Sequence, residues 1–225
     1  MSAATALFYH SLAVLHAPAY RTANAGALRQ DWPRIPLPAT RAALLASAEL
    51  GQQVAALLDS ERPVAGVSSG ELRSELRPIA ILSVVGGGQI NPDAGDLDLT
   101  VGWGYAGRGG ITMPAKGRVV ERAVSDAEHC PELGLNPGGA TLDIYLNDKV
   151  YWRNVPPVVW AYTIGGYQVL KKWLSYRERT LLGRGLSVAE AREVQAIARR
   201  IAALLLMGAQ LDTNYQAVAA ETYPQ

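Results

Sequence analysis

The segment from Asn147 to Arg177 has the most distinctive chemistry of the chain, because it combines aromatic rings with lysines and arginines. It is called the basic-aromatic segment. Extended to Arg184, it holds two acidic residues, Asp148 and Glu178, and seven basic ones: Lys149, Arg153, Lys171, Lys172, Arg177, Arg179 and Arg184. The whole chain has a formal charge of only +1, so this is a locally basic region in a neutral protein. Such a region predicts a surface for a large, negatively charged partner.

A glycine pair, Gly165-Gly166, interrupts this basic segment. The pair is expected to break the chain, and a helix is predicted from Tyr167 to about Arg179. The first turn of a helix has free backbone N–H groups and the positive end of the helix dipole, and both favour a bound phosphate. We therefore expect a phosphate-binding position where Gly166 and Tyr167 begin the helix.

Four polar side chains of this predicted helix have suitable chemistry for a nucleic acid. Lys171 and Lys172 can reach neighbouring phosphates, and the Gln168 amide can bond a phosphate or an adenine edge. Arg177 lies five positions beyond Lys172, so it occupies a different helix face. The alternative interpretation is a plain solvated face for the lysines. The large apolar side chains of the segment are expected in the core: Trp160, Trp173 and Leu174.

Metal-binding chemistry has weaker support. The histidines are far apart and lack the spacing of a zinc site, and Cys130 is expected in a surface loop with a free thiol. Asp96 and Asp98 would share one strand face, where two carboxylates could bind a metal ion. Their alternation with Leu97 and Leu99 is explained more simply by a strand with one solvated face.

Nucleotide-binding and hydrolytic motifs are also weak. The glycines Gly86-Gly87-Gly88 follow a strand-like run, but they do not form the G-x-G-x-x-G pattern, and a hairpin or bulge explains them. The sequence contains no G-x-S-x-G motif. Two alternatives to nucleic-acid binding stay open: a small nucleotide- or metal-dependent hydrolase, and a protein-interaction module. No cofactor and no metal are expected.

The composition is that of a folded domain with a core. Hydrophobic residues make up 49% of the 225 residues and charged residues 18%. A single cysteine excludes an intrachain disulfide and fits a reducing compartment. The apolar N-terminus lacks a basic region and contains His10 and His16, so it predicts a buried helix rather than a signal peptide. With no apolar run of transmembrane length, a cytoplasmic location is expected.

Helices are predicted at both ends of the chain. The N-terminal part combines a helix around Phe8, Leu12 and Leu15, an extended proline-rich segment over Asp31–Pro38, and a helix from Arg41 to about Leu58 capped by Thr40. The C-terminal part combines a short helix that Pro156-Pro157 starts and that runs through Trp160, and a long helix to about Leu211, opened by a capping box of Ser187 and Glu190. The tail after Asp212 is expected to fray.

The middle of the chain is rich in glycine and predicts strands. Alternating or β-branched runs occur at Ile79–Val85, Asp96–Trp103, Thr112–Val124, Leu142–Leu146 and Lys149–Arg153. Asn147-Asp148 is suited to a tight turn between the last two. The predicted fold class is therefore α+β, a small and mainly antiparallel sheet flanked by N-terminal and C-terminal helices.

Several of these segments resemble a known family in their sequence and order. The stretch NDKVYWRNVPPVVWAY followed by IGGYQVLKKWLSYR is similar to the C-terminal specificity domain of Type ISP restriction-modification enzymes. FYHSLAVLHAPAYR, then LRQDWPRIPLP, then the Arg41–Leu58 helix resemble the segment that joins methyltransferase and specificity domains. The helix opened by Leu186-Ser187 also fits. Pro63–Thr141 matches poorly, as expected of the variable surface that recognises sequence.

The resemblance implies a function and a division of the chain. Residues 1–61 would be the helical junction to the methyltransferase, and residues 62–225 the DNA target-recognition domain. The chain would recognise double-stranded DNA for an adenine methyltransferase and a helicase/nuclease, present in cis or in trans. It contains neither the Asn-Pro-Pro-Tyr methyltransferase motif nor a P-loop, so no catalysis is expected. The chain would be a cut-out domain, a separate subunit or a remnant.

Eleven residues are the predicted DNA contacts. Candidates for base recognition are cations in the glycine-rich middle of the chain, from about Arg62 to Asn154, because arginine and lysine can bond guanine O6 and N7 in the major groove. They are Arg108, Lys116, Arg118, Lys149 and Arg153. The remaining candidates belong to the basic-aromatic segment: Gly166, Tyr167, Gln168, Lys171, Lys172 and Arg177.

Overall fold

The computed structural model describes residues 1–223 as two compact units. The first unit combines Met1–Val64 with Ala203–Gln225, and the second is Ala65–Ala202. Helices at both ends of the chain and an antiparallel sheet between them confirm the predicted α+β class. The division into a junction (1–61) and a target-recognition domain (62–225) concerns roles, and it stays a prediction.

The secondary structure is mostly short elements. The helices are α1 Ala3–His16, α2 Pro18–Ala23, α3 Ala27–Gln30, α4 Arg41–Leu58, α5 Pro157–Trp160, α6 Val169–Ser175, α7 Arg179–Leu182, α8 Val188–Leu206 and α9 Gly208–Ala220. The strands are β1 Ile81–Val84, β2 Gly104–Ala106, β3 Thr112–Pro114, β4 Val119–Ala123, β5 Ala140–Tyr145, β6 Val150–Val155, β7 Thr163–Ile164 and β8 Tyr167–Gln168.

The first unit is built around the close crossing of α1 and α4. Gly51 of α4 faces the backbone of Tyr9, and a Cβ atom at position 51 would overlap the Tyr9 carbonyl oxygen. The predicted cap of α4 is confirmed, because the Thr40 hydroxyl accepts a hydrogen bond from the Ala43 amide at 3.1 Å. The buried His10 ring joins the two helices through a 2.7 Å hydrogen bond between Nδ1 and the Ser47 hydroxyl.

In the second unit, four strands form an antiparallel sheet in the order β1-β6-β5-β4. One face is apolar: Ile144 and Trp152 are buried, and the Trp152 indole donates to the Ala191 carbonyl oxygen of α8. The opposite face carries an ionic cluster, in which Arg122 pairs with Asp143 and Glu128. The sheet is thus packed on α8 on one side and closed by charged side chains on the other.

The ends of several elements confirm the sequence analysis. Ser187 and Glu190 form the expected capping box before α8. β5 and β6 are joined at Asn147-Asp148, and the Asn147 side chain accepts the amide of Val150. The C-terminal helix differs from the prediction, because it is divided at Met207 and α9 continues to Ala220.

The frayed tail predicted after Asp212 is wrong. The Asp212 carboxylate accepts a 2.7 Å hydrogen bond from the Ala19 amide at the start of α2. Tyr215 packs edge-to-face on the buried Tyr20 ring. These two contacts hold α9 within the first unit.

The predicted strand Asp96–Trp103 is also wrong. Leu97 and Leu99 are buried as expected, but their carbonyl oxygens accept the amides of Leu186 and Arg179 instead of those of a partner strand. The Asn147 amide group donates to the carbonyl oxygens on either side of Leu97. The alternating pattern therefore comes from a buried loop, whose polar backbone is satisfied by other parts of the unit.

Two other strands are shorter than the sequence predicts. The Thr112–Val124 run divides into β3 and β4, which belong to different sheets. In the connection, Gly117 lies against the Trp103 ring with a φ of 64°, a backbone conformation that glycine adopts readily. β1 begins only at Ile81, because Ala80 before it also has a positive φ, 54°.

We expect acid to destabilise the protein in two stages. Burial lowers the pKa of His10 and His16, so above pH 6.5 their neutral forms contribute full stability, and this contribution falls as pH drops below that value. Burial raises the pKa of Glu128, but hydrogen bonds from Arg122 and Ser125 outweigh it and lower the pKa to about 2. The Arg184 hydrogen bond lowers the pKa of Glu190 to about 2.

The two carboxylates define the second stage. Their contribution is complete above pH 4.5 and is lost as pH falls towards 2. Urea midpoints measured between pH 8 and 2.5 should therefore decline below pH 6.5 and more steeply below pH 4.5. Glu128→Gln should reduce the decline of the urea midpoint below pH 4.5, whereas the exposed control Glu61→Gln should keep it. An equal decline in the two variants would contradict the assignment to Glu128.

Candidate nucleic-acid interface

The glycine pair lies in a hairpin and not at the start of a helix. Gly165 and Gly166, with φ values of 57° and 82°, form the turn between β7 and β8. The following helix, α6, begins only at Val169, whose amide donates to the Tyr162 carbonyl oxygen. It ends at Ser175. The predicted helix is therefore shorter at both ends, and its expected start at the glycine pair, with the phosphate-binding position there, is wrong.

The lysines of α6 nevertheless line a shallow cavity of about 200 Å³. Its wall combines one residue of β3 with the turn, strand and helix that follow each other in the basic segment: Pro114, Gly166, Tyr167, Gln168, Lys171 and Lys172. The Lys172 ammonium lies between two tyrosine rings, 4.7 Å from the centroid of Tyr167 and 4.6 Å from that of Tyr176. This double cation–π contact fixes the direction of the charge.

Two distant parts of the sequence meet at this cavity. The β2–β3 hairpin packs on α6, where a Cβ atom at Gly104 would overlap the Ser175 carbonyl oxygen. Directly after α6, the buried Glu178 carboxylate accepts the backbone amides of Gly102 at 3.1 Å and Trp103 at 2.7 Å. These contacts hold the start of the hairpin against the end of the helix.

Both parts belong to segments without any acidic residue. Residues 99–120 contain three cations, Arg108, Lys116 and Arg118, and no aspartate or glutamate. Residues 149–177 contain five cations and again no acid; they are Lys149, Arg153, Lys171, Lys172 and Arg177. The sequence therefore concentrates positive charge in the two segments that the fold brings together.

Four of the eight cations are neutralised by carboxylates from other segments. The charged groups are 3.0 Å apart in Arg118–Asp148, 3.6 Å in Lys149–Asp96, 3.0 Å in Arg153–Glu128 and 3.7 Å in Arg177–Glu190. Two of these arginines also stack on aromatic rings, Arg118 on Tyr145 at 4.2 Å and Arg177 on Trp173 at 3.8 Å. These side chains have partners before any ligand binds.

The other four cations have no carboxylate partner among residues 1–223. Within residues 1–223, no carboxylate lies within 4.0 Å of the charged nitrogens of Arg108, Lys116, Lys171 or Lys172. Arg108 and Lys116 are exposed, and the two lysines of α6 are half-buried beside the cavity. These four residues, together with the cavity, are called the basic patch below.

The remaining residues of the basic-aromatic segment have mixed environments. Gln168 donates its amide to the Trp160 carbonyl oxygen at 3.2 Å, so this donor already has a partner. Tyr167 is exposed. Leu174 is fully buried, as expected, whereas Trp160 and Trp173 are only half-buried. The two indole rings line the edge of the core and do not form its centre.

The structure offers no support for the metal site. Asp98 forms a 2.6 Å ion pair with Arg179, and Asp96 accepts the amide of Asn91. Within residues 1–223, no group of three histidine, cysteine, aspartate or glutamate side chains could hold a metal ion. The expectation of a surface thiol is wrong, because Cys130 is buried. Gly86-Gly87-Gly88 form a turn after β1 in left-handed conformations.

Sequence reasoning missed several residues of this region. Tyr176 completes the pair of rings around Lys172, and Glu178 ties the hairpin to α6. An exposed apolar group on the β2–β3 hairpin was missed as well: Tyr105, Ile111 and Met113. The alternation of Tyr105 with glycines and the Gly109-Gly110 pair before Ile111 were the available signals of a hairpin.

In the described residues, no single helix has the length and apolar character to cross a membrane; the bent pair α8 and α9 meets these criteria only when the two helices are taken together.

Comparison with known protein families identifies the chain. The family model of the Type ISP C-terminal specificity domain matches residues 2–203, including Pro63–Thr141, where the sequence motifs alone show little resemblance. Neither the curated proteins nor the solved structures contain a match to the chain. A match over most of the 225 residues shows the family and indicates a part in target recognition by a restriction-modification enzyme. The chain belongs to the Type ISP C-terminal specificity domains.

Proposed function

We propose that this chain recognises a specific sequence in double-stranded DNA, as the specificity domain of a Type ISP-like restriction-modification adenine methyltransferase. In this proposal it contributes no catalytic step. The methyltransferase and the helicase/nuclease are its partners in cis or in trans, in the cytoplasm, and residues 62–225 form the target-recognition part.

The observation that carries the proposal is the basic patch. Arg108, Lys116, Lys171 and Lys172 come from two acid-free segments, and each lacks a carboxylate partner within residues 1–223. Uncompensated cations on a folded domain favour a polyanion, because each one that meets a phosphate releases a condensed counterion from the DNA. A metal-dependent hydrolase has no comparable support.

The residues of the patch have different roles in this proposal. Lys171 and Lys172 contact phosphates, which fixes the position of the domain on the duplex. Arg108 lies in the exposed loop of the β2–β3 hairpin, and a two-stranded ribbon can enter the major groove. Arg108 is therefore assigned to guanine recognition. Lys116, which follows the same hairpin, contacts the backbone beside it.

The other predicted contacts take secondary roles. Arg118, Lys149, Arg153 and Arg177 are engaged with carboxylates, so in this proposal they stabilise the fold around the basic patch and do not contact bases. Gly166, Tyr167 and Gln168 shape the cavity in which the backbone of the DNA would lie.

Selection from a pool of random duplexes tests the proposal. The full chain should enrich a common sequence, and Arg108→Ala should relax one position of it at a cost of about 1–3 kcal/mol. Arg192→Ala, which removes an exposed arginine of α8, should leave the enriched sequence unchanged. A pool that stays random after selection with the unaltered chain would refute sequence recognition.

A further inference from the structure

One face of the β2–β3 hairpin is apolar and exposed. The strand register places Tyr105 opposite Met113, and Ile111 is the next residue on the same face. The exposed fractions of these side chains are 51%, 44% and 66%. Three large apolar side chains lie side by side on this two-stranded ribbon. Their contact with water is unfavourable, and such contiguous apolar patches mark interaction sites.

The hairpin is held firmly from its other face. Gly104 lies against the Ser175 carbonyl oxygen of α6, and Pro114 lines the cavity beside Lys171. At the loop, the Gly107 amide donates to the Ile111 carbonyl oxygen at 2.8 Å. These contacts leave the apolar face without a covering element among residues 1–223 and fix its position relative to the lysines of α6.

Charge identifies the partner of this apolar face. Arg108 precedes Ile111 by three positions, Lys116 follows Met113 by three, and residues 99–120 contain no acid. A protein surface suited to this hairpin would need matching carboxylates, whereas duplex DNA has phosphates on both sides of a groove. Proteins that bind the minor groove kink DNA by inserting apolar side chains between base steps. A ribbon in the major groove presents its apolar side chains to the same stack of base pairs.

We propose that the apolar face of the β2–β3 hairpin is a wedge, and that Ile111 enters the stack of base pairs and unwinds the duplex locally. This inference rests on the proposed DNA binding and specifies how the DNA is deformed. Tyr105 and Met113 pack on the sugars and base edges beside the opened step. Because pyrimidine–purine steps unstack most easily, the wedge contributes to specificity through the deformability of the target.

Local unwinding can be measured without knowing the recognised sequence. A nicked plasmid is sealed by DNA ligase in the presence of the full chain, and its linking number is then determined by gel electrophoresis. The unaltered chain and Ile111→Leu should lower the linking number in proportion to bound protein. Ile111→Ala should lose most of this shift, while its affinity for random duplex DNA falls by about tenfold at most.

The control is Ile81→Ala, which removes another exposed isoleucine, from β1 and outside the hairpin. It should keep the full shift in linking number. A full shift with Ile111→Ala would overturn the wedge, because the unwinding would then not depend on Ile111. A chain that binds DNA without any shift would overturn the wedge alone, whereas a chain that does not bind DNA would overturn the proposed function as well.

Discussion

The double variant Lys171→Ala/Lys172→Ala is expected to bind random duplex DNA about sixty-fold more weakly than the unaltered chain at 0.1 M salt. The estimate follows from counterion release, which gives each phosphate contact a slope of about −0.9 in a plot of log affinity against log salt concentration. Over the tenfold interval from 0.1 M to 1 M salt, one phosphate contact changes the affinity about eightfold and two contacts change it about sixty-fold.

The loss should be the same for every duplex, because phosphate contacts carry no sequence information. Affinities for several unrelated duplexes, measured by fluorescence anisotropy, test this. Arg29→Ala/Arg192→Ala removes two exposed arginines outside the basic patch and serves as the control for net charge. If both double variants lose affinity equally, the basic patch is not the phosphate-binding surface.

Replacing Gly51 by alanine should destabilise the first unit by at least about 2 kcal/mol. A methyl group at this position would overlap the Tyr9 carbonyl oxygen, so α1 and α4 must separate or shift along each other. Alanine is favoured over glycine inside a helix by about 1 kcal/mol, and this gain offsets only part of the loss. For a unit of this size the melting temperature should fall by about 10 °C or more.

Gly26→Ala provides the matched control for this prediction. Gly26 lies in the same unit with a right-handed helical backbone, and no atom comes within 4 Å of the place that an added methyl group would occupy. The variant should melt at or slightly above the temperature of the unaltered chain. Equal melting temperatures for the two variants would show that the crossing of α1 and α4 can relax at little cost.

The elements that the sequence predicted well have local causes. Thr40 and the pair of Ser187 and Glu190 satisfy backbone groups within one helical turn, so the start of α4 and α8 could be located without tertiary contacts. The Asn147-Asp148 turn is equally local. These positions require no knowledge of what the element packs against.

The elements that were wrong depend on distant partners or on an ambiguous signal. Asp96–Trp103 alternates like a strand, but its carbonyl oxygens bond residues 179 and 186, about eighty positions or more away. Gly165-Gly166 fits both a helix start and a two-residue hairpin turn. The flanking pairs Thr163-Ile164 and Tyr167-Gln168 favour the hairpin, since a Gly-Gly turn with two positive φ values joins such strands.

The sequence predicted a basic surface, but it did not predict which of its cations are paired with carboxylates. The list of cations followed from sequence, yet their pairing did not: Arg153 meets Glu128 only because β4, β5 and β6 are neighbours in the sheet. Lys171 and Lys172 come close to the β2–β3 hairpin only through tertiary packing. Distinguishing cations that are paired with carboxylates from those that are not therefore required the structure.

The most direct test of the central claim is the affinity of the unaltered chain for random duplex DNA over a series of salt concentrations. Three phosphate contacts, from Lys116, Lys171 and Lys172, predict a slope of about −2.7 in log affinity against log salt concentration. A slope near zero, or the absence of measurable binding at low salt, would contradict the account.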